Sequence, residues 1–207
     1  MITHKKRVAV LISGRGSNME ALVKACAAPD YPAEIIAVLS NKADAKGLEF
    51  AASKGITAIA IPNKDYTSRA AHDAAMHEAL TELKPDIVAL AGYMRLMTAE
   101  FVEQWRGKMI NIHPALLPDF KGLHTHQRAL DAGVKTHGCT VHFVTAGMDE
   151  GPTIAQAIIP VLEADTPDTL TARVLVAEHE LYPAALRLIA DGTIAMDSHF
   201  KPLIFDI

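Results

Sequence analysis

The chain has 207 residues, of which half are hydrophobic, and its formal net charge is −4. This length is enough for one substantial core, and the dispersed lysines and arginines argue against a nucleic-acid groove, which needs a basic stripe. The apolar runs are too short for a signal peptide or a membrane span, and Cys26 and Cys139 form neither a metal motif nor a disulfide framework, so we expect a cytoplasmic protein that binds no membrane.

Strand and helix patterns alternate through the first half of the chain. The predicted strands cover residues 8–12, 34–39, 57–61, 86–91 and 108–112. The predicted helices lie between them, at 19–26, 45–54, 65–83 and 98–105, and Asp65 or Thr67 is expected to cap the third. This repeated order favours an α/β fold with a mostly parallel, Rossmann-like sheet and helices on both faces.

The second half has a different order. Two strands are predicted at 138–144 and 153–161 with no helix between them, which indicates an antiparallel extension of the sheet. A long helix follows, with Thr166 as its cap and a kink or break expected at Pro183, and the tail after Ala195 is expected to form edge structure. No linker or repeat interrupts the pattern, so residues 1–207 are predicted to form one domain.

A glycine-rich turn, residues 13–18, comes directly after the first strand. Such a turn offers backbone amides and a positive helix end to an anion. The dinucleotide fingerprint fails, because Met19 stands at its third glycine position and the second strand ends in Ser40-Asn41 rather than an acid. Two readings remain open, a plain turn with Ser17 as helix cap or a cradle for a single phosphate formed by Gly16, Ser17 and Asn18.

Polar residues appear at the end of the fifth predicted strand. Asn111 and His113 are two residues apart and therefore point to the same face of an extended chain. At the carboxyl end of a strand, an amide and an imidazole can stabilise and protonate a developing oxyanion, although they can also be ordinary strand-end residues. Asp149 lies in a turn between glycines and is either a turn residue or a carboxylate that orients His113.

Several of these segments resemble one family. Residues 111–118 (Asn-Ile-His-Pro-Ala-Leu-Leu-Pro) and the run from 138 to Asp-Glu-Gly-Pro at 149–152 are similar to the core motifs of the folate-dependent formyltransferases. Within that family, residues 13–18, 40–48 and 90–95 resemble the branch that acts on glycinamide ribonucleotide. Ala146 departs from the pattern, since the family often has an acidic residue there.

The resemblance implies transfer of a formyl group from 10-formyltetrahydrofolate to the primary amine of glycinamide ribonucleotide through a tetrahedral intermediate, without a metal. Asn111 and His113 would hold the oxyanion, supported by Asp149. The implied ribonucleotide ligands are Gly16, Ser17, Asn18 and Glu178, and the implied folate ligands are Arg69, Met94, Arg95, Leu96, Met97 and Asn111.

By the same resemblance, the half at about 1–105 would bind the phosphate, and the half at about 106–207 would bind the folate and carry out the chemistry. Three alternatives stay open, namely a 10-formyltetrahydrofolate hydrolase, a formyltransferase for another amine and a non-catalytic nucleotide-binding module. A homodimer is possible. His124 and His126 make only a weak metal motif and are expected to shape the site, while His137 and His142 are expected to face the cleft.

Overall fold

The structure is a computed structural model that describes residues 4–206. Its strands are β1 Lys6–Ile12, β2 Ala33–Ser40, β3 Thr57–Ala60, β4 Ile87–Leu90, β5 Met109–His113, β6 Thr136–Phe143, β7 Thr153–Pro160 and β8 Leu203–Asp206. Its helices are α1 Ser17–Cys26, α2 Lys46–Ser53, α3 Arg69–Leu83, α4 Ala99–Gln104, α5 Thr125–Asp131 and α6 Pro167–Ala190, with a short 3-10 helix at Asn63–Asp65.

The strands form one eight-stranded sheet in the order β3-β2-β1-β4-β5-β6-β7-β8. Strands β1 to β5 are parallel, β6 is antiparallel to both of its neighbours, and β8 is parallel to β7. This confirms the predicted fold class, including the antiparallel extension. The chain builds outward from β1 to β3 and then resumes on the other side of β1 with β4. That reversal leaves a crevice at the carboxyl ends of β1 and β4, where open α/β sheets bind ligands.

Both faces of the central strands β1 and β4 are buried, as continuous apolar runs predict. On β1, Val8, Val10 and Ile12 pack into the core beneath α1 and α6. The alternate residues Ala9 and Leu11 pack into the second core, beneath α3 and α4. The two cores hold the carboxyl ends of the central strands rigid.

Helix α6 is fixed to the centre of the sheet by one buried side chain. The hydroxyl of Tyr182 lies 3.0 Å from the carbonyl oxygen of Leu90 and 3.4 Å from that of Ile110, and donates to this pair. The helix is 24 residues long and runs through Pro183 without a break. Its capping by Thr166, with Pro167 in the first turn, is as predicted.

One cap prediction is wrong, one helix was not predicted, and the prediction for the tail is confirmed. Ser68, not Asp65 or Thr67, caps α3: its extended backbone brings the hydroxyl to the Ala71 amide at 3.1 Å, whereas Asp65 is taken up in the 3-10 helix. Helix α5 was not predicted, because its seven residues are too few to show a helical period. The tail does form an edge strand, β8. Within residues 4–206, no helix combines the length and apolar character needed to cross a membrane.

Candidate active site

The turn between β1 and α1 leaves the first turn of the helix uncapped by any side chain. Gly16 occupies the N-cap position with φ 79° and ψ 34°, a left-handed conformation that favours glycine. The alternative that Ser17 caps the helix is therefore wrong, since Ser17 is already its first residue. The amides at the N-terminus of this ten-residue helix are left available to bind an anion, as the phosphate-cradle reading requires.

The predicted ribonucleotide residues lie together across two helices. Nδ2 of Asn18, on α1, donates a 2.7 Å hydrogen bond to Oε2 of Glu178, on α6. Both side chains are buried, and Oδ1 of Asn18 has no partner among the described residues. Burial raises the pKa of Glu178 to about 6, and the Asn18 hydrogen bond opposes that rise. Oδ1 of Asn18 is thus a buried acceptor that lacks a donor within the described chain, and a hydroxyl group of a sugar could satisfy it.

The three predicted catalytic residues converge at the end of β5. Nδ1 of His113 lies 3.4 Å from Oδ2 of Asp149, which also accepts a 2.9 Å hydrogen bond from the Gly122 amide. The other ring nitrogen of His113, Nε2, donates to the carbonyl of Phe120 at 3.0 Å. Asp149 holds this position in a turn with φ 53°. The imidazole is thus held at both nitrogens, by a carboxylate on one side and a carbonyl on the other.

A second histidine fixes the amide of Asn111. Nδ1 of His142 donates to the Phe143 carbonyl at 2.8 Å, and burial lowers the pKa of His142 despite the opposing effects of that hydrogen bond and of Asp149. The ring is therefore neutral with its lone pair on Nε2, which accepts from Nδ2 of Asn111 at 3.2 Å. Oδ1 of Asp149 lies 3.7 Å from the same nitrogen, a contact that is not an ion pair while the ring is neutral. The second amide hydrogen of Asn111 stays free for a ligand.

Thr140 and Gln156 hold the segment that follows His113, and sequence reasoning missed both. The Thr140 hydroxyl donates to the Ala115 carbonyl at 2.6 Å and accepts from the Leu117 amide at 3.0 Å. Nε2 of Gln156 donates to the Leu117 carbonyl at 2.8 Å. Thr140 pairs with His113 across the antiparallel strands. Its hydroxyl is therefore close to the backbone of the segment after His113 and can hydrogen-bond to it. For Gln156 the available signal was a polar residue in the otherwise apolar run of β7.

The predicted folate segment, Met94 to Met97, follows β4 on one side of the crevice. Met94 and Leu96 are more than half exposed, which is unusual for large apolar side chains and fits a binding surface. Met97 packs against the core near α4, and Nε of Arg95 is buried without a partner among residues 4–206. Two further exposed apolar residues, Leu123 and Met148, lie in the loops that carry Gly122 and Asp149.

Arg69 is the least supported of the predicted folate ligands. It is the exposed first residue of α3 and makes no side-chain hydrogen bond or ion pair with the rest of the described chain. Its helix does reach the folate segment, because Oδ2 of Asp73 accepts the Thr98 amide at 2.7 Å.

The remaining histidines near the site pack against one another. Nδ1 of His126 lies 3.2 Å from Nε2 of His137, and the His137 ring meets Phe120 edge-on. Burial lowers the pKa of His126, and lowers that of His137 to about 4. His124 is the N-cap of α5, with φ 58°. No set of three or more His, Cys, Asp or Glu side chains within residues 4–206 is arranged to hold a metal ion.

Comparison with known proteins identifies the family of the chain. Residues 6–186 match the family model described as formyl transferase. The chain is 50% identical over 192 residues to the trifunctional purine biosynthetic protein adenosine-3 of Bos taurus, covering 93% of this chain but only 19% of that protein. It is 44% identical over 189 residues to phosphoribosylglycinamide formyltransferase of Escherichia coli, covering 91% of this chain and 89% of the relative.

A solved structure gives the same result in three dimensions. The crystal structure of phosphoribosylglycinamide formyltransferase from Brucella melitensis superposes with a TM-score of 0.87 and 57% sequence identity, over 92% of this chain and 98% of that one. The fold and the family model agree, and the chain belongs to the formyl transferase family.

Proposed function

We propose that the protein transfers the formyl group of 10-formyltetrahydrofolate to the primary amine of glycinamide ribonucleotide, as a cytoplasmic enzyme of purine synthesis. The observation that carries the proposal is the convergence of Asn111, His113 and Asp149 at the carboxyl edge of a sheet whose first turn forms an anion cradle. The relatives named for this activity support it over most of the chain.

In this proposal the amide of Asn111 stabilises the charge that develops on the formyl oxygen. The ribonucleotide amine attacks the formyl carbon, and the carbonyl electron pair moves onto oxygen. His142 holds one Asn111 hydrogen, so the other is oriented before the oxyanion forms. A donor that is already in place needs no reorganisation during the reaction, which is the main advantage of an oxyanion hole.

His113 and Asp149 are the residues proposed to carry out proton transfer. Collapse of the tetrahedral intermediate breaks the bond from the formyl carbon to the folate nitrogen, which must gain a proton, while the attacking amine loses one. The protonated imidazole of His113 supplies the proton to the leaving nitrogen. The proton that the amine loses passes to solvent, from which the imidazole is protonated again. Asp149, 3.4 Å away, stabilises the protonated ring and fixes its orientation. The amine is a nucleophile when neutral, so the proposed reaction involves no covalent enzyme intermediate.

The two substrates are assigned to separate parts of the crevice. The ribonucleotide phosphate binds Gly16, Ser17 and Asn18, and its ribose binds Glu178. The folate binds along Met94 to Met97 and at Asn111, with Arg69 at the outer end. The half at 1–105 thus supplies the phosphate cradle and the half at 106–207 the reacting groups, although the Asn18–Glu178 hydrogen bond joins the two halves.

The test is to incubate the protein with 10-formyltetrahydrofolate, with and without glycinamide ribonucleotide, and to follow tetrahydrofolate by absorbance and the formylated ribonucleotide by mass spectrometry. We expect both products in equal amounts, and only when the ribonucleotide is present. Folate turnover at the same rate without ribonucleotide would indicate a hydrolase. That outcome is disfavoured by the buried Asn18–Glu178 pair and the uncapped helix, which attack by water does not require.

A further inference from the structure

A chain of side-chain hydrogen bonds connects the loops at the carboxyl ends of four neighbouring strands. The amide of Met94, after β4, donates to Oγ of Ser13 at 2.7 Å. The Ser13 hydroxyl, after β1, donates to Oδ1 of Asn41 at 2.6 Å. Nδ2 of Asn41, after β2, donates to Oδ1 of Asn63 at 3.2 Å. Ser13 and Asn41 are both buried, and each is used as donor and acceptor at once.

Every donor in this chain points the same way, from β4 toward β3. Hydrogen bonds in series polarise one another, and in a buried setting each lost member leaves a neighbour unsatisfied. Ser13 is the member that joins the turn containing Gly16 to the segment starting at Met94. The hydroxyl therefore lies between the proposed phosphate cradle and the proposed folate segment without belonging to either.

The folate segment is held in the same manner at its other end. The Thr98 amide donates to Oδ2 of Asp73 at 2.7 Å, and Asp73 is buried on α3. Between these two tethers the chain forms neither helix nor strand, and the side chains of Met94 and Leu96 are exposed. The position of the segment thus depends on two backbone amides and two side-chain acceptors.

We propose that Ser13 and Asp73 are positioning residues for the folate: each fixes one end of the Met94–Met97 segment, and Ser13 does so from the loop that leads into the phosphate cradle. This inference rests on the proposed function, because it takes that segment to be the folate surface. Neither side chain touches the reacting atoms, so their loss should weaken folate binding and leave the chemical step almost unchanged.

The experiment compares Ser13→Ala, Ser13→Thr and Asp73→Ala with the wild-type protein, measuring KM for each substrate, kcat, and the Kd of tetrahydrofolate by calorimetry. Ser13→Ala removes the acceptor for the Met94 amide, and Ser13→Thr keeps it. We expect Ser13→Ala to raise the folate KM and the tetrahydrofolate Kd about tenfold, the upper range for one hydrogen bond. The ribonucleotide KM and kcat should change by less than about threefold, and Ser13→Thr should restore folate binding.

Ser198→Ala is the matched control, because Ser198 also accepts a backbone amide, that of Ala195 at 3.1 Å, in the tail after α6. It should leave both KM values unchanged. Folate constants in Ser13→Ala that equal those of Ser198→Ala would overturn the inference, as would a rise in the ribonucleotide KM alone. If Ser13→Ala does not fold, Asp73→Ala, which removes the acceptor for the Thr98 amide, carries the same test at the other tether. A wild-type protein that binds tetrahydrofolate but forms no formylated ribonucleotide would refute the proposed function instead.

Discussion

The amide of Asn18 and the carboxylate of Glu178 form a 2.7 Å hydrogen bond although the two residues are 160 positions apart in the chain. Their contact exists because α1 and α6 pack on the same face of the sheet, with Met19, Leu22, Val174 and Leu181 in one core. The result is a buried carboxylate beside the anion cradle, with a raised pKa of about 6. Two predictions follow from its protonation.

The first prediction is that the ionised Glu178 lowers the free energy of unfolding near neutral pH. Its pKa is about 6 when folded and about 4.5 when unfolded, so the folded state holds more protons between these values, and this group's contribution to stability falls as pH rises through that window. Glu178→Gln should therefore raise the free energy of unfolding at pH 7.5 by up to about 2 kcal/mol. Denaturant unfolding at pH 4 and pH 7.5 measures this, and a variant less stable than wild type at pH 7.5 would contradict it.

The second prediction concerns ribonucleotide affinity. In the proposed complex the ionised Glu178 accepts from the ribose hydroxyls. Affinity should therefore fall as pH decreases through about 6, when the carboxyl gains its proton. Glu178→Gln should bind about tenfold or more weakly at pH 7.5 and show a flatter pH dependence. Calorimetric titration between pH 5 and 8 tests this, and the variant also separates Glu178 from the titration of the ligand phosphate itself. A pH profile unchanged by the substitution would rule out this role.

The third prediction concerns Gly16. A side chain there would be strained, because φ is 79°, and its Cβ would lie 3.0 Å from Cε of Met19. Gly16→Val should raise the ribonucleotide KM at least tenfold by distorting the cradle, while the Kd of tetrahydrofolate stays within about twofold.

Gly192→Ala is the control for backbone strain, since Gly192 has φ 81° at the end of α6 and a Cβ there would meet nothing within 4 Å. It should destabilise the protein by about 1–2 kcal/mol and leave both substrate constants unchanged. Normal ribonucleotide affinity in a folded Gly16→Val protein would contradict the assignment of the phosphate to this turn.

The fourth prediction concerns His142. His142→Phe removes the acceptor that orients Asn111, so kcat should fall about 10- to 100-fold while the Kd of each substrate changes little. The wild-type rate should also fall in acid, since protonation of His142 turns its Nε2 from an acceptor into a donor facing the Asn111 amide. Burial lowers the pKa of His142, so this loss should begin only below the ordinary range for histidine. His77→Phe, on α3, is the control, and equal rates in the two variants would exclude the orienting role.

The sequence predicted the parallel half of the sheet because strands buried on both faces are continuous apolar runs between helical patterns. Asn111 and His113 were predictable for the same reason, since polar residues interrupt such a run at the strand end. His142 and Thr140 were not assigned their roles, because these depend on the register of β5 against β6, which pairs Asn111 with His142 and His113 with Thr140. Register between separated strands is a tertiary property that local patterns do not encode.

The sequence also failed to predict one helix cap and two side-chain contacts to loop amides. Ser68 rather than Asp65 or Thr67 caps α3, because the preceding residues form a 3-10 helix that no propensity distinguishes from the α-helix beyond it. The roles of Ser13 and Asp73 were also not predicted. Each accepts a backbone amide from a loop that is distant in the sequence, and nothing local marks which amide that will be.

The most direct test of the whole site is Asp149→Asn in a single-turnover measurement of formyl transfer. Asparagine tolerates the φ of 53° found at this position and can still accept from the Gly122 amide, so the turn should keep its shape. Only the charge beside His113 is lost. We expect the rate of formyl transfer to fall about 10²–10⁴-fold while the Kd of each substrate stays within about threefold. A rate within about threefold of wild type would mean that Asp149 is a turn residue and that His113 acts without it.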